Sequence, residues 1–152
     1  DADVSMNVDG ESFSNELGKR YDVVVVSEVL EHIVHTDAFM VETKKCLLPD
    51  GTLVLSVPNI CCLKNRFKLL FGKFPTYGCT RLGIDPAISS GDNFHVRDFN
   101  VDVLKLCLSK HGFVIDEMLS SGVFVRDRKI VPHWLCPAGL GDHIIVVARK
   151  PS

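Results

Sequence analysis

Ser27-Glu28, Glu31-His32, Asn59, His95 and Arg97 are the residues whose types and placement could do chemistry in this chain. Ser27-Glu28 closes an apolar run, Val23 to Val26, and Pro58-Asn59 closes a second, Leu53 to Val57. Glu31 and His32 follow the first run by a few residues. A histidine there could act as general base toward a hydroxyl, because its unperturbed pKa of about 6.5 suits that task near neutrality. The plainer reading, which we favour, has Glu31 and His32 hydrogen-bonding the local backbone and neighbouring loops. The Asn59 amide both donates and accepts, so it could hold a polar group of a substrate or brace a loop. His95 and Arg97 lie in N-F-H-V-R-D-F. An arginine in that position could bind a carboxylate or phosphate through two parallel hydrogen bonds, or pair with Asp98 or Asp92 and anchor its loop. His35 is expected at the surface.

These residues need a scaffold, and the pattern around them supplies one. Val23–Val26 and Leu53–Val57 are consecutive apolar residues, which implies strands buried on both faces, as in a parallel sheet covered by helices. The segment between them has helical character, with Thr36 or Asp37 as N-cap and an end near Leu47. Lys44 and Lys45 then sit in the last turn, where the helix dipole favours cations, and Pro49-Asp50-Gly51 turns the chain into the second strand. Strand, crossover helix and strand make a right-handed βαβ unit, and in such sheets ligands collect at the carboxyl ends of the strands. Here those ends are Ser27-Glu28 and Pro58-Asn59. Further on, Asn100 is an N-cap candidate for a helix carrying Val101, Leu104, Cys107 and Leu108, and Gly112 fits the left-handed position past its end. Phe113 to Leu119 and Ile144 to Ala148 read as the remaining strands. Trp134, among prolines, is expected as a buried anchor.

Composition excludes several classes. The chain has 152 residues, 46% hydrophobic, with net charge −2, enough for one domain with a core and without bulk attraction for nucleic acid. No apolar stretch reaches the roughly 20 residues of a membrane span. The six cysteines form no C-x-x-C pair, so they read as reduced thiols of a cytoplasmic protein, and no zinc or other metal site is expected. Residues 60–82 contain Lys64, Arg66, Lys68, Lys73 and Arg81 and no acid. Their apolar stripe, Leu63, Phe67, Leu70 and Phe71, is expected to pack on the domain as a lid. The alternative is peripheral contact of 63–73 with an anionic membrane or a lipid-linked substrate.

In this order and spacing, YDVVVVSEVLEHI, KKCLLPDGTLVLSVPN, NFHVRDFNVDVLKLCLSKHGFVIDEM and PAGLGDHIIVVARK resemble the C-terminal two-thirds of a class I S-adenosylmethionine-dependent methyltransferase, of the type 11/12 small-molecule branch. The resemblance implies an α/β fold: a Rossmann-like three-layer sandwich, mostly parallel, with an antiparallel last strand. It implies one domain over 1–152, with 60–98 as a substrate-cap insertion. It implies S-adenosylmethionine as cofactor, held by Ser27 and Glu28 at the methionine end and by Asp1, Ala2 and Asp3 near the adenine. Asn59, His95 and Arg97 would face the substrate, and Glu31 and His32 are the catalytic candidates. The implied reaction is methyl transfer, with O-methylation favoured, to a small molecule, lipid or glycan. The glycine-rich loop with which such domains begin is missing, since the only G-x-G, Gly139-Leu-Gly141, precedes the last strand and reads as a turn. We therefore expect a piece of a longer protein. Standing alone, it would offer Val23–Val26 as an open sheet edge able to form a homodimer or recruit a partner. A non-catalytic scaffold that binds through that edge is the competing reading.

Overall fold

The computed structural model describes residues 6–9, 12–75, 95–125 and 128–152. In chain order the elements are Phe13–Leu17 (α1), Tyr21–Ser27 (β1), a 3-10 turn at Leu30–His32, Thr36–Lys45 (α2), Leu47–Pro58 (β2), Leu63–Leu70 (α3), Val101–Lys110 (α4), Val114–Ser120 (β3), Val123–Val125 (β4), Arg128–Val131 (β5), a 3-10 turn at His133–Leu135, and His143–Arg149 (β6). Four strands form one sheet in the order β1-β2-β6-β3. β1 and β2 are parallel, and β6 is antiparallel to both β2 and β3. Three strands therefore share one direction and the last strand runs against them: a mixed α/β, Rossmann-like sheet. The short pair β4-β5 stands apart. It was not foreseen in the sequence.

The register explains the core. Val26 faces Leu55, which faces Val146, while Val57 faces Ile144 and Leu53 faces Ala148. All lie on one side of the sheet and none is more than 6% exposed. Phe39 and Met40 of α2 and Leu104 and Leu108 of α4 complete that cluster. The opposite side differs from the expectation of double burial. Val23 and Val25 are 54% and 66% exposed, because β1 is the sheet edge and no described element lies over them. An apolar groove of about 360 Å³ runs along this strand, lined by Met6, Val8, Phe13, Leu17 and the four valines among others.

Several local signals behave as their chemistry dictates, and others do not. Asn100 caps α4, its side chain accepting from the Val103 N–H at 2.8 Å. Gly112 holds φ 69°, and Lys44 Nζ donates to the adjacent His111 and Gly112 carbonyls, so a lysine ending one helix also satisfies the end of another. At α2 the N-cap is His35, not Thr36 or Asp37. The Thr36 hydroxyl instead donates back to Ile33 O, and the Asp9 carboxylate accepts from the Val34 and His35 N–H groups. The Asp9 carboxylate thus holds the backbone just before α2, and the His35 side chain makes no capping hydrogen bond. Pro49-Asp50-Gly51 loops out within β2 rather than preceding it: Tyr21 faces Leu47 while Val23 faces Thr52, and Asp50 sits at φ 58°. Trp134 is 71% exposed rather than a buried anchor, since its 3-10 turn lies outside both sheets. The α3 stripe also departs from the lid expectation, with Phe67, Leu70 and Phe71 between 57% and 75% exposed. The five described cysteines are free.

Glu42 joins α1 to α2. Its carboxylate accepts from the Ser14 hydroxyl at 2.6 Å and from Lys45 Nζ at 2.6 Å. The lysine first, then the serine, hold its pKa below the ordinary carboxylate value. A depressed folded-state pKa contributes stability that is present above the unfolded-state value and lost as pH falls through the folded one. Thermal melts should therefore show Glu42→Gln less stable than wild type at pH 7, with the difference shrinking as pH falls below the unfolded-state value of about 4.3. A difference that persists unchanged at pH 3 would contradict this account.

Candidate functional site

The polar tips of β1 and β2 lie side by side, as a parallel pair requires. Ser27 faces Ser56 across the pair, and the chain leaves β1 through Glu28 at φ 54°, a left-handed conformation uncommon for a residue with a side chain. That turn folds the Glu28 carboxylate back over the sheet edge. Ser56 Oγ donates to Glu28 Oε1 at 2.7 Å, and Ser27 Oγ lies 3.0 Å from Ser56 Oγ. Since the single Ser56 proton goes to the carboxylate, Ser27 is the donor to Ser56. On the other side His143 Nε2 stands 3.4 Å from Glu28 Oε2, and His143 Nδ1 is 3.4 Å from Ser121 Oγ. A polar row Ser27–Ser56–Glu28–His143–Ser121 thus crosses the ends of all four strands of the sheet. Glu28 remains 39% and His143 31% exposed, open to a ligand.

Glu31 and His32 occupy the 3-10 turn that follows. The Glu31 side chain is 2% exposed, and its Oε2 has no hydrogen-bond partner. Burial pushes its pKa above the ordinary value, and the Glu28 charge adds to this, against the opposing pull of its own amide, His32 and His95. The Glu31 carbonyl accepts from the Val96 and Arg97 N–H groups at 2.9 and 3.2 Å, which pins the segment carrying His95 over the turn. The His32 and His95 rings meet edge to face with centroids 4.9 Å apart. Among the described residues, the ligand atoms of Glu31, His32 and His95 all lie within 4.8 Å of one another.

The remaining candidates separate from these. Asn59 is fully buried. Its amide NH2 donates to Gly141 O and Ala138 O while its Oδ1 accepts from the Cys61 N–H, so it braces the loop before β6 and has no N–H left for a substrate. Gly139-Leu-Gly141 is the turn in that loop, closed by Leu140 N–H to Pro137 O at 2.9 Å. A side chain at Gly141 would collide with Ser120. Arg97 donates to Val34 O at 2.8 Å and ties its loop to the start of α2. Asp1, Ala2 and Asp3 lie outside the described residues.

Asp142 was missed in the sequence. It is buried, accepts from Lys64 Nζ at 2.8 Å and from the Phe124 N–H at 3.1 Å, and so joins α3, β4 and the entry to β6. His143 was missed too. Its signal was the register of the closing strand, which places it opposite Pro58 and is invisible without the antiparallel pairing.

A family model described as a methyltransferase domain matches residues 2–118, and the chain belongs to this family. No curated protein matches. Among solved structures, the chain is similar to an S-adenosylmethionine-dependent methyltransferase from Thermotoga maritima (TM-score 0.60, 11% identity, covering 87% of this chain and 56% of that one). It is similar to the N-methyltransferase NodS of Bradyrhizobium japonicum in complex with S-adenosylhomocysteine (TM-score 0.53, 13% identity, 98% and 54% covered). A third is the 1,6-didemethyltoxoflavin N1-methyltransferase of Burkholderia thailandensis, also with S-adenosylhomocysteine (TM-score 0.52, 16% identity, 98% and 50% covered). At these identities the likeness is one of fold. The chain spans about half the length of these neighbours.

Proposed function

We propose that this chain takes part in S-adenosylmethionine-dependent methyl transfer to a small-molecule, lipid or glycan acceptor, with a hydroxyl oxygen as the favoured acceptor atom. The observation that carries the reading is the paired strand tips: Ser27 and the left-handed Glu28 turn beside Ser56 and His143, in a chain of the methyltransferase-domain family. Those residues fit the polar end of such a cofactor. The Ser27 hydroxyl and the half-exposed Glu28 carboxylate both stand at the carboxyl edge, where the resemblance places the methionine moiety. The cofactor supplies an activated methyl on a sulfonium. The protein's part is to align the acceptor and exclude water. His32, partly exposed beside Glu28's turn, is the candidate to take the acceptor's proton.

Two contacts extend this reading. Val23 and Val25 suit pairing with a second copy or another strand, and Phe67, Leu69, Leu70 and Phe71, exposed on or just beyond α3 beside Lys68 and Lys73, suit a lipid-linked acceptor at an anionic surface. The open β1 edge also supports the competing reading, a scaffold without catalysis.

Calorimetry of the intact protein with S-adenosylhomocysteine separates the two. We expect saturable binding in the micromolar range, weakened about tenfold or more by Glu28→Ala, as loss of a charge-assisted hydrogen bond of roughly 1.5–3 kcal/mol predicts. An intact protein that gives no heat of binding would leave the scaffold reading standing.

A further inference from the structure

We propose that α3 with the turn after it, and the Trp134 turn with the adjoining β5, form a two-part docking face for an anionic lipid bilayer. The face stands on its own observations. The acceptor class it favours, one carried in a membrane, rests on the methyl-transfer reading above.

α3 is mounted inside out. Among its residues only Asn65 is buried, its amide donating to Ile60 O at 2.9 Å. Phe67 and Leu70 are more than half exposed, as are Phe71 and Phe74 beyond the helix. A helix that packs on its own domain does the reverse. The second part repeats the pattern: Trp134 and Leu135 in their 3-10 turn, and Ile130 of β5, are also more than half exposed. Single exposed apolar side chains are ordinary, whereas large ones gathered on two linked segments mark a contact surface. The link is direct. The Leu63 N–H donates to Leu140 O at 2.9 Å, Arg66 Nη2 donates to Gly139 O at 3.2 Å, and Lys64 Nζ meets the Asp142 carboxylate at 2.8 Å. The first turn of α3 is thus fastened to the loop that follows the Trp134 turn. α3 follows the tip of β2, and the β4-β5 pair follows the tip of β3, so both parts leave the sheet at the edge that carries Glu28 and His143.

Charge selects the occupant. Residues 51–84 and 128–141 contain no acid, in a chain whose net charge is −2. Lys68 and Lys73 accompany the first part, and Arg128 and Lys129 the second. Lysines among exposed rings do not suit the core of a protein–protein interface, where that residue is depleted. They suit a bilayer surface, where ammonium groups reach anionic headgroups while the rings enter the interfacial layer. Among the described residues no helix is long and apolar enough to cross a membrane, so the contact is made at the surface.

Trp134 is the chain's single tryptophan and reports on its own part of the face. Vesicles of phosphatidylcholine and phosphatidylserine should co-sediment the intact protein, and vesicles of phosphatidylcholine alone should not. Binding should shift the tryptophan emission to the blue, a change that Trp134→Phe removes, and should weaken as salt rises. Lys73→Glu combined with Lys129→Glu should weaken binding by roughly tenfold or more, since each base near an anionic surface adds to the attraction. Phe71→Ser should weaken it by roughly fivefold or more, through loss of an apolar contact. All these positions are exposed, so melting temperatures should stay at the wild-type value and show that the variants are folded. No co-sedimentation, co-sedimentation with unchanged tryptophan emission, or binding that the folded charge-reversal and Phe71→Ser variants retain in full overturns the proposal. So does a dimer in sedimentation that Phe71→Ser converts to a monomer, because a second copy then occupies the face. Calorimetry with S-adenosylhomocysteine tests the methyl-transfer reading separately. Cofactor binding without vesicle binding defeats only the docking face, and the reverse defeats only the methyl-transfer reading.

Discussion

Asp142→Ala is expected to destabilise the fold by about 2–4 kcal/mol. Asp142 is buried and receives Lys64 Nζ and the Phe124 N–H. Removing one member of a buried pair strands the other and typically costs about 3–5 kcal/mol. The Lys64 side chain is 29% exposed and recovers part of its hydration, which lowers the expected figure. Lys64→Met tests the same pair from the other side and should cost at least as much as Asp142→Ala, because it leaves the 3% exposed Asp142 carboxylate buried without its counter-charge. Urea denaturation reads all of this. An Asp142→Ala change under about 0.5 kcal/mol, the range of ordinary surface substitutions, would mean the pair contributes nothing. The consequence for the site is direct, since Asp142 immediately precedes His143 and its backbone carbonyl accepts from the Asn59 N–H at 2.9 Å. Loosening it disturbs the edge on which Glu28 and His143 meet.

Leu55→Ala should cost about 2–5 kcal/mol, the range for truncating a fully buried aliphatic side chain. Leu55 is 1% exposed and packs in the register between Val26 and Val146. Val25→Ala, one strand away on the other face, should change stability by about 0.5 kcal/mol or less, because that side chain is already 66% exposed. The contrast is the sharper test. Equal costs at the two positions would show that a partner or a second copy covers the valine face in solution, and the open edge would then be an interface.

The βαβ unit was legible because its signals are local and redundant. Two apolar runs, a helical segment between them and turn residues at fixed places leave few topologies, and chirality leaves one. The capping asparagine of α4 and the left-handed Gly112 were legible for the same reason: each answers to backbone chemistry within a few residues. Where a distant group competes, the local reading failed. At the start of α2 the N-cap is His35, and the preceding backbone is held by Asp9 from a distant segment. The four valines were misread as doubly buried because an apolar run states only that a strand tolerates cover, not that cover is present.

The sequence by itself determined the family, the parallel pair and the residues at its tips, since strand polarity and the place where each apolar run ends are properties of the chain alone. Only the tertiary structure decided what those residues meet: Glu28 with His143 across an antiparallel neighbour, Asn59 with its amide fully engaged in bracing, and Glu31 with two histidines, one of them 64 residues away along the chain. Hydrogen bonds and close contacts of a few ångströms depend on register and loop docking, and the pattern of residue types along one strand does not encode them.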